Sequence, residues 1–340
     1  MASDPGRPGF ARFPYVTAIL WCVVAPFVVW AAVRVAGLDR GSPLVQLIAF
    51  TPYIALAAPV PVILAAALRR WSVLVVAAAS CVAFVACLLP RVHGAAEPMD
   101  GTTFRVMSVN LYAGRADASA IVALVRDRAV DALAVQELTP AAQRRLEQAG
   151  LSALLPYVEA HPYPGVDGSA VYARFPIVAG SVKINPGAGF RQASAAVRLG
   201  DAVTVTVESV HPVSPSGAAM TAFWAQGLRE QTPATTDPAR PHVLAGDFNA
   251  TLDHVELRRL LDTGYTDAAD AVGAGLVPTW PYGAREYAGI PAVTIDHVLV
   301  PDPIGVAGFD AVTVANTDHR AIIAVLVIPA VGGPAGDEVA

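Results

Sequence analysis

Eight polar residues fall at or near the ends of apolar runs in this 340-residue chain. Asn110 closes an apolar run over 104–110, and Gln136-Glu137 closes another that begins at Asp131. His211 ends a stretch with Val203, Val205 and Val207 at alternate positions. Gly-Asp-Phe-Asn at 246–249 follows His-Val-Leu-Ala and supplies Asp247 and Asn249. Asp296 is set within Thr-Ile-Asp-His-Val-Leu-Val, and Thr-Asp-His-Arg at 317–320 brings Asp318 and His319 to the last apolar run. Carboxylates, carboxamides and imidazoles are the side chains that move protons and bind hard cations. Other chemistries are poorly supplied. Cys22, Cys81 and Cys87 all precede residue 91, so the remainder has no thiol nucleophile, and Lys183 is the only lysine for a Schiff base. No Cys or close His pair offers a zinc geometry.

Taken singly, several of these residues have ordinary explanations. Asp253-His254 reads as a helix cap, Asn110 as a strand terminator and Glu137 as a solvated strand end. An acid inside an apolar strand, such as Asp296, needs a partner. Six such segments, each bearing Asn, Asp, Glu or His, predict convergence at one rim of a sheet sandwich.

The elements that must position them alternate along the chain. Period-two and buried apolar runs predict strands over 104–110, 131–135, 169–174, 193–199, 202–210, 242–245, 294–300 and 321–328. Helical spacing predicts helices over 116–129, 139–148, 216–230 and 255–262. Many strands with interspersed helices give an α/β class with packed sheets and outer helices.

Composition divides the chain. Hydrophobic residues make up 54% and charged residues 15%, against about 25% charged in soluble domains. Mean hydropathy is +0.50, which excludes a disordered chain. Residues 1–100 carry seven Arg and four acids; residues 101–340 carry 16 basic and 24 acidic groups, a net of −8. Three uncharged stretches at 13–33, 41–68 and 71–90 run 21, 28 and 20 residues, and a bilayer core takes about 20 residues of helix. The expectation is a three-span membrane domain over 1–90, a linker over 91–103, a catalytic domain over 104–329 and a disordered tail over 330–340. Arg7, Arg12, Arg69 and Arg70 fall on one side of such spans, and Arg34, Arg40 and Arg91 on the other. The positive-inside rule then puts the N-terminus inside and residues 91–340 outside, as a multi-pass cell-membrane protein with an extracytoplasmic domain.

The order of the polar motifs resembles the endonuclease/exonuclease/phosphatase superfamily, the fold of DNase I-like nucleases, sphingomyelinases and inositol polyphosphate 5-phosphatases. The features are Ser-Val-Asn at 108–110, Gln136-Glu137, Gly-Ser-Ala-Val-Tyr-Ala-Arg at 168–174, His211, Gly-Asp-Phe-Asn at 246–249, Ile-Asp-His-Val-Leu at 295–299 and Thr-Asp-His at 317–319. The resemblance implies a four-layer α/β sandwich of two face-to-face mixed sheets flanked by helices. It implies a hydrolase of phosphate esters or anhydrides dependent on Mg²⁺, with Mn²⁺ as a substitute. Glu137 would be the principal metal ligand, with Asn110 and Asp318 beside it. His211 and His319 would contact the phosphate, and Asp296 would orient His319. Asp247 and Asn249 would hold the attacking water, the identity of the base staying open. Several relatives carry an acid two residues after the first Asn; here Tyr112 stands there, which removes support for a second metal. Asn110, Arg191 and Arg320 are candidate substrate contacts, the two arginines equally readable as surface ion pairs.

A net of −8 with one lysine is not a nucleic-acid signature, because phosphate contacts call for Arg and Lys. The three-span layout and His-Pro-Val-Ser-Pro at 211–215 are similar to VanJ-type membrane phosphatases of glycopeptide-resistance systems, which act on undecaprenyl pyrophosphate. The implied partners are the lipid bilayer and a phosphorylated, lipid-linked substrate. Two rivals remain: an anchored external nuclease or phosphodiesterase, and a catalytically inactive binding domain.

Overall fold

The computed structural model describes residues 14–94, 99–187, 189–283 and 287–330. The chain forms two units. One holds the described residues up to Leu38 together with Thr51–Cys87; the other holds Asp39–Phe50 and the described residues from Leu88 onward.

The opening helices are α1 (Pro14–Ala36), α2 (Leu44–Ile48), α3 (Thr51–Ala57), α4 (Pro59–Ala67), α5 (Trp71–Leu88) and α6 (Pro90–His93). Among the described residues, two helices are long and apolar enough to cross a membrane, Tyr15–Ala36 and Trp71–Leu88. The stretch 41–68 does not form the third spanning helix expected of it. Its first part, with α2, belongs to the other unit. Its later part is a shorter apolar run, Thr51–Ala67, divided where Pro59 has no N–H to continue the ladder. Arg7 and Arg12 of the charge count lie outside the described residues.

In the second unit, the strands are β1 (Thr102–Asn110), β2 (Ala132–Gln136), β3 (Tyr157–His161), β4 (Ser169–Ala173), β5 (Ile177–Ile184), β6 (Arg191–Leu199), β7 (Val203–Val210), β8 (His242–Asp247), β9 (Tyr265–Asp267), β10 (Asp296–Pro301), β11 (Gly305–Thr313) and β12 (Arg320–Ile328). They form two six-stranded sheets, β11-β12-β1-β2-β4-β3 and β5-β6-β7-β8-β10-β9. Each sheet is mixed around one central parallel pair, β1 with β2 and β7 with β8. Antiparallel neighbours flank these pairs, β12 on β1 and β10 on β8. The C-terminal ends of the parallel strands therefore share a rim with the N-terminal ends of β10 and β12.

Small and β-branched residues from both inner faces fill the space between the sheets, among them Val106, Ala134, Val171, Ala195, Val205, Val207, Ala245 and Val298. On the outer face of the first sheet pack α7 (Ala118–Asp127), α8 (Pro140–Gln148) and α9 (Leu151–Leu154). Asp117 caps α7 by accepting from Ala120 N at 3.1 Å, and Thr139 caps α8 from Ala142 N at 3.1 Å. On the second sheet pack α10 (Ala218–Arg229) and α11 (Val255–Leu261), with Trp224 and Leu257 buried. A short α12 (Ala268–Ala271) follows β9. These are the four layers of an α/β sandwich.

The segment Asp39–Phe50 completes the outer layer of the second sheet. Val45 is buried beside Trp224, Leu228 and Leu244, a contribution of roughly 1.5–3 kcal/mol for a fully buried apolar side chain. His254 Nε2 donates to Val45 O at 2.9 Å while its Nδ1 accepts from Thr251 N at 2.8 Å. Gln46 Nε2 donates to Thr221 Oγ1 at 3.1 Å, and Val255 N to Asp39 Oδ2 at 2.9 Å. The expected linker is likewise folded at both ends. Arg91 in α6 is buried and forks onto Asp253 at 2.8 and 3.0 Å, and β1 begins at Thr102. Asp253 and His254 thus serve these contacts instead of forming a side-chain cap on α11. Residues 95–98 of the linker and 331–340 of the tail lie outside the described residues.

Candidate active site

All eight polar residues arrive at the one rim. Asn110 is the last residue of β1, and Glu137 follows β2. His211 follows β7, Asp247 ends β8, and Asn249 lies two residues beyond. Asp296 opens β10 and pairs in register with Asp247; Asp318 and His319 precede β12. Glu137 has φ +58° and Asn249 φ +50°. Asn tolerates this left-handed region, but Glu does so at a cost of order 1 kcal/mol, characteristic of functional sites. In Gly-Asp-Phe-Asn, a Cβ at Gly246 would collide with the Val210 carbonyl of the adjacent strand, so glycine alone lets β8 lie there. Phe248 is fully buried, edge-on to His297, and anchors the polar residues on either side.

Asn110 joins the two sheets. Its Nδ2 donates to Glu137 Oε1 at 3.0 Å and to Asp247 Oδ2 at 3.1 Å, while its Oδ1 accepts from Tyr112 N at 2.9 Å. Glu137 Oε2 accepts from Ala113 N. Asp318 Oδ2 accepts from Trp280 Nε1 at 3.0 Å, whereas its buried Oδ1 has no hydrogen-bond partner among the described residues.

The two histidines face Asp247 from opposite sheets. His319 Nε2 lies 3.6 Å from Asp247 Oδ2, and His211 Nε2 lies 3.7 Å from the same oxygen. His319 Nδ1 is held by Asp296 at 2.9 and 3.1 Å. Asp247 Oδ1 accepts from Asn249 N at 2.8 Å, and Asn249 Nδ2 donates to Pro212 O at 3.1 Å. His211 Nδ1 has no partner among the described residues; its ring lies against Phe190, centroids 4.7 Å apart.

Electrostatics separate the pair. Burial alone would lower the His319 imidazole, but Asp296 and Asp247 together raise it to about 10. Burial and the His319 charge push His211 down to about 3. His319 is therefore a cation at neutral pH and His211 is neutral. Burial raises the Asp247 carboxyl, opposed by His319 and assisted by Asp296. Burial likewise raises Glu137, opposed by hydrogen bonds from Ala113 and Asn110.

A divalent cation fits these residues. Glu137, Asp247, Asp296 and Asp318 lie close together against one imidazolium, an excess of negative charge that burial makes costly. The buried Asp318 Oδ1 beside that excess accepts no hydrogen bond among the described residues and is an oxygen donor suited to such a cation. Asp247, Asp296 and His319 also place ligand atoms within 4.8 Å of one another. In that group His319 offers only Nε2, because its Nδ1 is taken by Asp296. Glu137, Asn110 and Asp318 form the oxygen-rich set that a hard cation takes.

Neither candidate arginine joins the hydrogen-bond network of the site among the described residues. Arg191 stacks on Tyr163, 3.8 Å from the ring centroid. Arg320 donates to Pro278 O at 3.2 Å and to Ala311 O, and lies over Tyr282. Positioning by Thr-Trp at 279–280 escaped the sequence reading. Thr279 Oγ1 accepts from Ile295 N and Asp296 N at 3.0 and 3.1 Å, fixing the head of β10, and Trp280 holds Asp318. A tryptophan in a Gly/Pro-rich loop was the only signal for it.

Residues 107–319 match the Endonuclease/Exonuclease/phosphatase family, and the chain belongs to it. The family's members hydrolyse phosphoester bonds and typically depend on a divalent metal, so the site described is that of a phosphoesterase. Among solved structures, an endonuclease/exonuclease/phosphatase from Beutenbergia cavernae is 19% identical with TM-score 0.53, covering 67% of this chain and 72% of its own. TDP2 from C. elegans is 20% identical with TM-score 0.52, covering 68% and 77%. Humanized D. rerio TDP2 is 14% identical with TM-score 0.53, covering 66% and 98%. These likenesses show the fold. No curated protein sequence matches the chain.

Proposed function

We propose that this chain is a membrane-anchored, Mg²⁺-dependent phosphoesterase that hydrolyses a lipid-linked polyprenyl pyrophosphate from an extracytoplasmic site. The observation that carries the lipid reading is the path of the chain through its catalytic unit. That unit includes Asp39–Phe50 as well as everything described from Leu88 onward. The apolar run from Thr51 to Cys87 therefore leaves the catalytic unit and returns to it, and it carries nearly all of Trp71–Leu88, long and apolar enough to cross a bilayer. The Arg69-Arg70 turn sits inside that excursion, and the positive-inside rule places it in the cytoplasm. Three chain joins to the apolar unit, at 38–39, 50–51 and 87–88, favour a substrate presented at the bilayer, and a net of −8 over residues 101–340 disfavours a polyanionic nucleic acid.

The residues divide the work. Glu137, with Asn110 and Asp318, would hold the cation, which when bound neutralises phosphoryl oxygens as charge shifts to the leaving group. Asn249 and Asp247 hold the attacking water, and Asp247, raised by burial, accepts its proton. The His319 cation, oriented by Asp296, donates from Nε2 to the phosphoryl group. Neutral His211 supplies a second contact from the opposite sheet.

Full-length protein in detergent should release phosphate from a polyprenyl pyrophosphate in Mg²⁺ and leave plasmid DNA uncut. Mg²⁺-dependent nicking without lipid pyrophosphate turnover would replace this reading with the nuclease.

A further inference from the structure

A second buried polar assembly lies behind β5, β6 and β7, and the chemistry above uses none of it. His211 stands one residue past the end of β7, so the strand ladder no longer supplies partners for its main chain. Side chains supply them instead. Gln192 Oε1 accepts from His211 N at 3.2 Å, and Asn185 Nδ2 donates to His211 O at 2.7 Å. Asn185 Nδ2 also donates to Gln192 Oε1 at 2.7 Å, which locks the two clamps together.

The orientation of the Gln192 amide is fixed by its other end. Gln192 Nε2 donates to Glu208 Oε1 at 2.7 Å, and a carboxylate only accepts. A flipped amide would set oxygen against oxygen there, and NH₂ against the His211 N–H and the Asn185 NH₂. Glu208 is buried and is itself held by Lys183 at 3.2 Å and His242 at 3.0 Å. Gln231 closes the assembly with bonds of 3.0 and 3.2 Å to Gln192. His211 has no ring-nitrogen partner comparable to Asp296 on His319, so its placement falls to this main-chain clamp and the Phe190 ring.

We propose that Gln192 and Asn185 are positioning residues for His211, and that the Glu208 carboxylate selects the Gln192 amide orientation that makes the clamp. The proposal rests on the hydrolase reading, and its test separates the two. Turnover of bis(p-nitrophenyl) phosphate by the full chain in detergent and Mg²⁺ is measured for Gln192→Leu, alone and combined with His211→Ala. A reacting group misplaced by about 1 Å loses up to about 100-fold. Gln192→Leu should lower kcat by up to about tenfold, the loss expected of His211→Ala itself, with KM nearly unchanged in the wild-type background, and change it less than about twofold in the His211→Ala background, as coupled residues do. The isosteric Asn185→Asp, which puts an acceptor against the His211 carbonyl without changing volume, should repeat the pattern. An equal loss in both backgrounds makes the network merely structural, and no loss in the wild-type background overturns the clamp outright. Absence of wild-type turnover on this diester and on a polyprenyl pyrophosphate alike overturns the hydrolase reading, and the clamp's role with it.

Discussion

The rims of the two sheets each present a histidine to Asp247, and they solve the placement of that ring in opposite ways. At the first sheet, His319 is gripped through its own nitrogen by Asp296 and carries a charge. At the second, His211 is gripped through its main chain, its Nδ1 has no partner among the described residues, and it stays neutral. Residue type therefore does not set the role. A carboxylate partner makes one histidine an electrostatic device, while amide partners leave the other a shaped, uncharged contact.

Substitutions should break this comparison unequally. His319→Ala should cost about 10³-fold in kcat, within the span of general acid–base and electrostatic effects. Asp296→Asn should cost about 10²-fold and also lower the His319 pKa, so activity should fall at a lower alkaline pH than in wild type. A pH–rate profile on bis(p-nitrophenyl) phosphate checks both. His211→Ala should cost least in kcat, about tenfold, since no full charge is removed.

Stability should carry the same contrast with opposite sign. His319 is raised from 6.5 to about 10 on folding; its contribution is whole below pH 6.5 and is lost as pH rises through 10. His211 is lowered from 6.5 to about 3; the unfolded chain takes the proton first, so stability falls as pH drops from 6.5 toward 3. The Tm difference between wild type and His319→Gln should shrink above neutrality. His211→Asn should flatten the acid side of the Tm curve. A His319 variant with an unchanged alkaline Tm profile would remove the charged-histidine half of the comparison.

How far the sequence carried the fold depended on position in the sheet. The central strands β1, β2, β4, β6, β7, β8, β10 and β12 were all expected, because two-sided burial writes an apolar run. The four strands that escaped, β3, β5, β9 and β11, are the four sheet edges. β5 shows why: Ile177–Ile184 is mostly exposed, and edge strands carry charge, glycine and irregularity in place of an apolar signal. Of the site, the residues at strand ends were readable as polar interruptions of apolar runs. Thr279, Trp280 and the Gln192–Asn185 clamp were not, since they act across turns and neighbouring strands with no periodicity. Hydropathy misread 41–68 for a related reason. Val45 is apolar because it enters the core of the catalytic unit, and a hydropathy window cannot tell a protein interior from lipid.

The metal requirement is the claim on which the rest stands, and turnover of bis(p-nitrophenyl) phosphate with Mg²⁺ and with EDTA tests it most directly. EDTA should reduce the wild-type chain to the level of Glu137→Ala, and added Mg²⁺ should restore the wild type but not the variant. Turnover that persists in EDTA, or a Glu137→Ala chain that Mg²⁺ restores in full, would contradict the account.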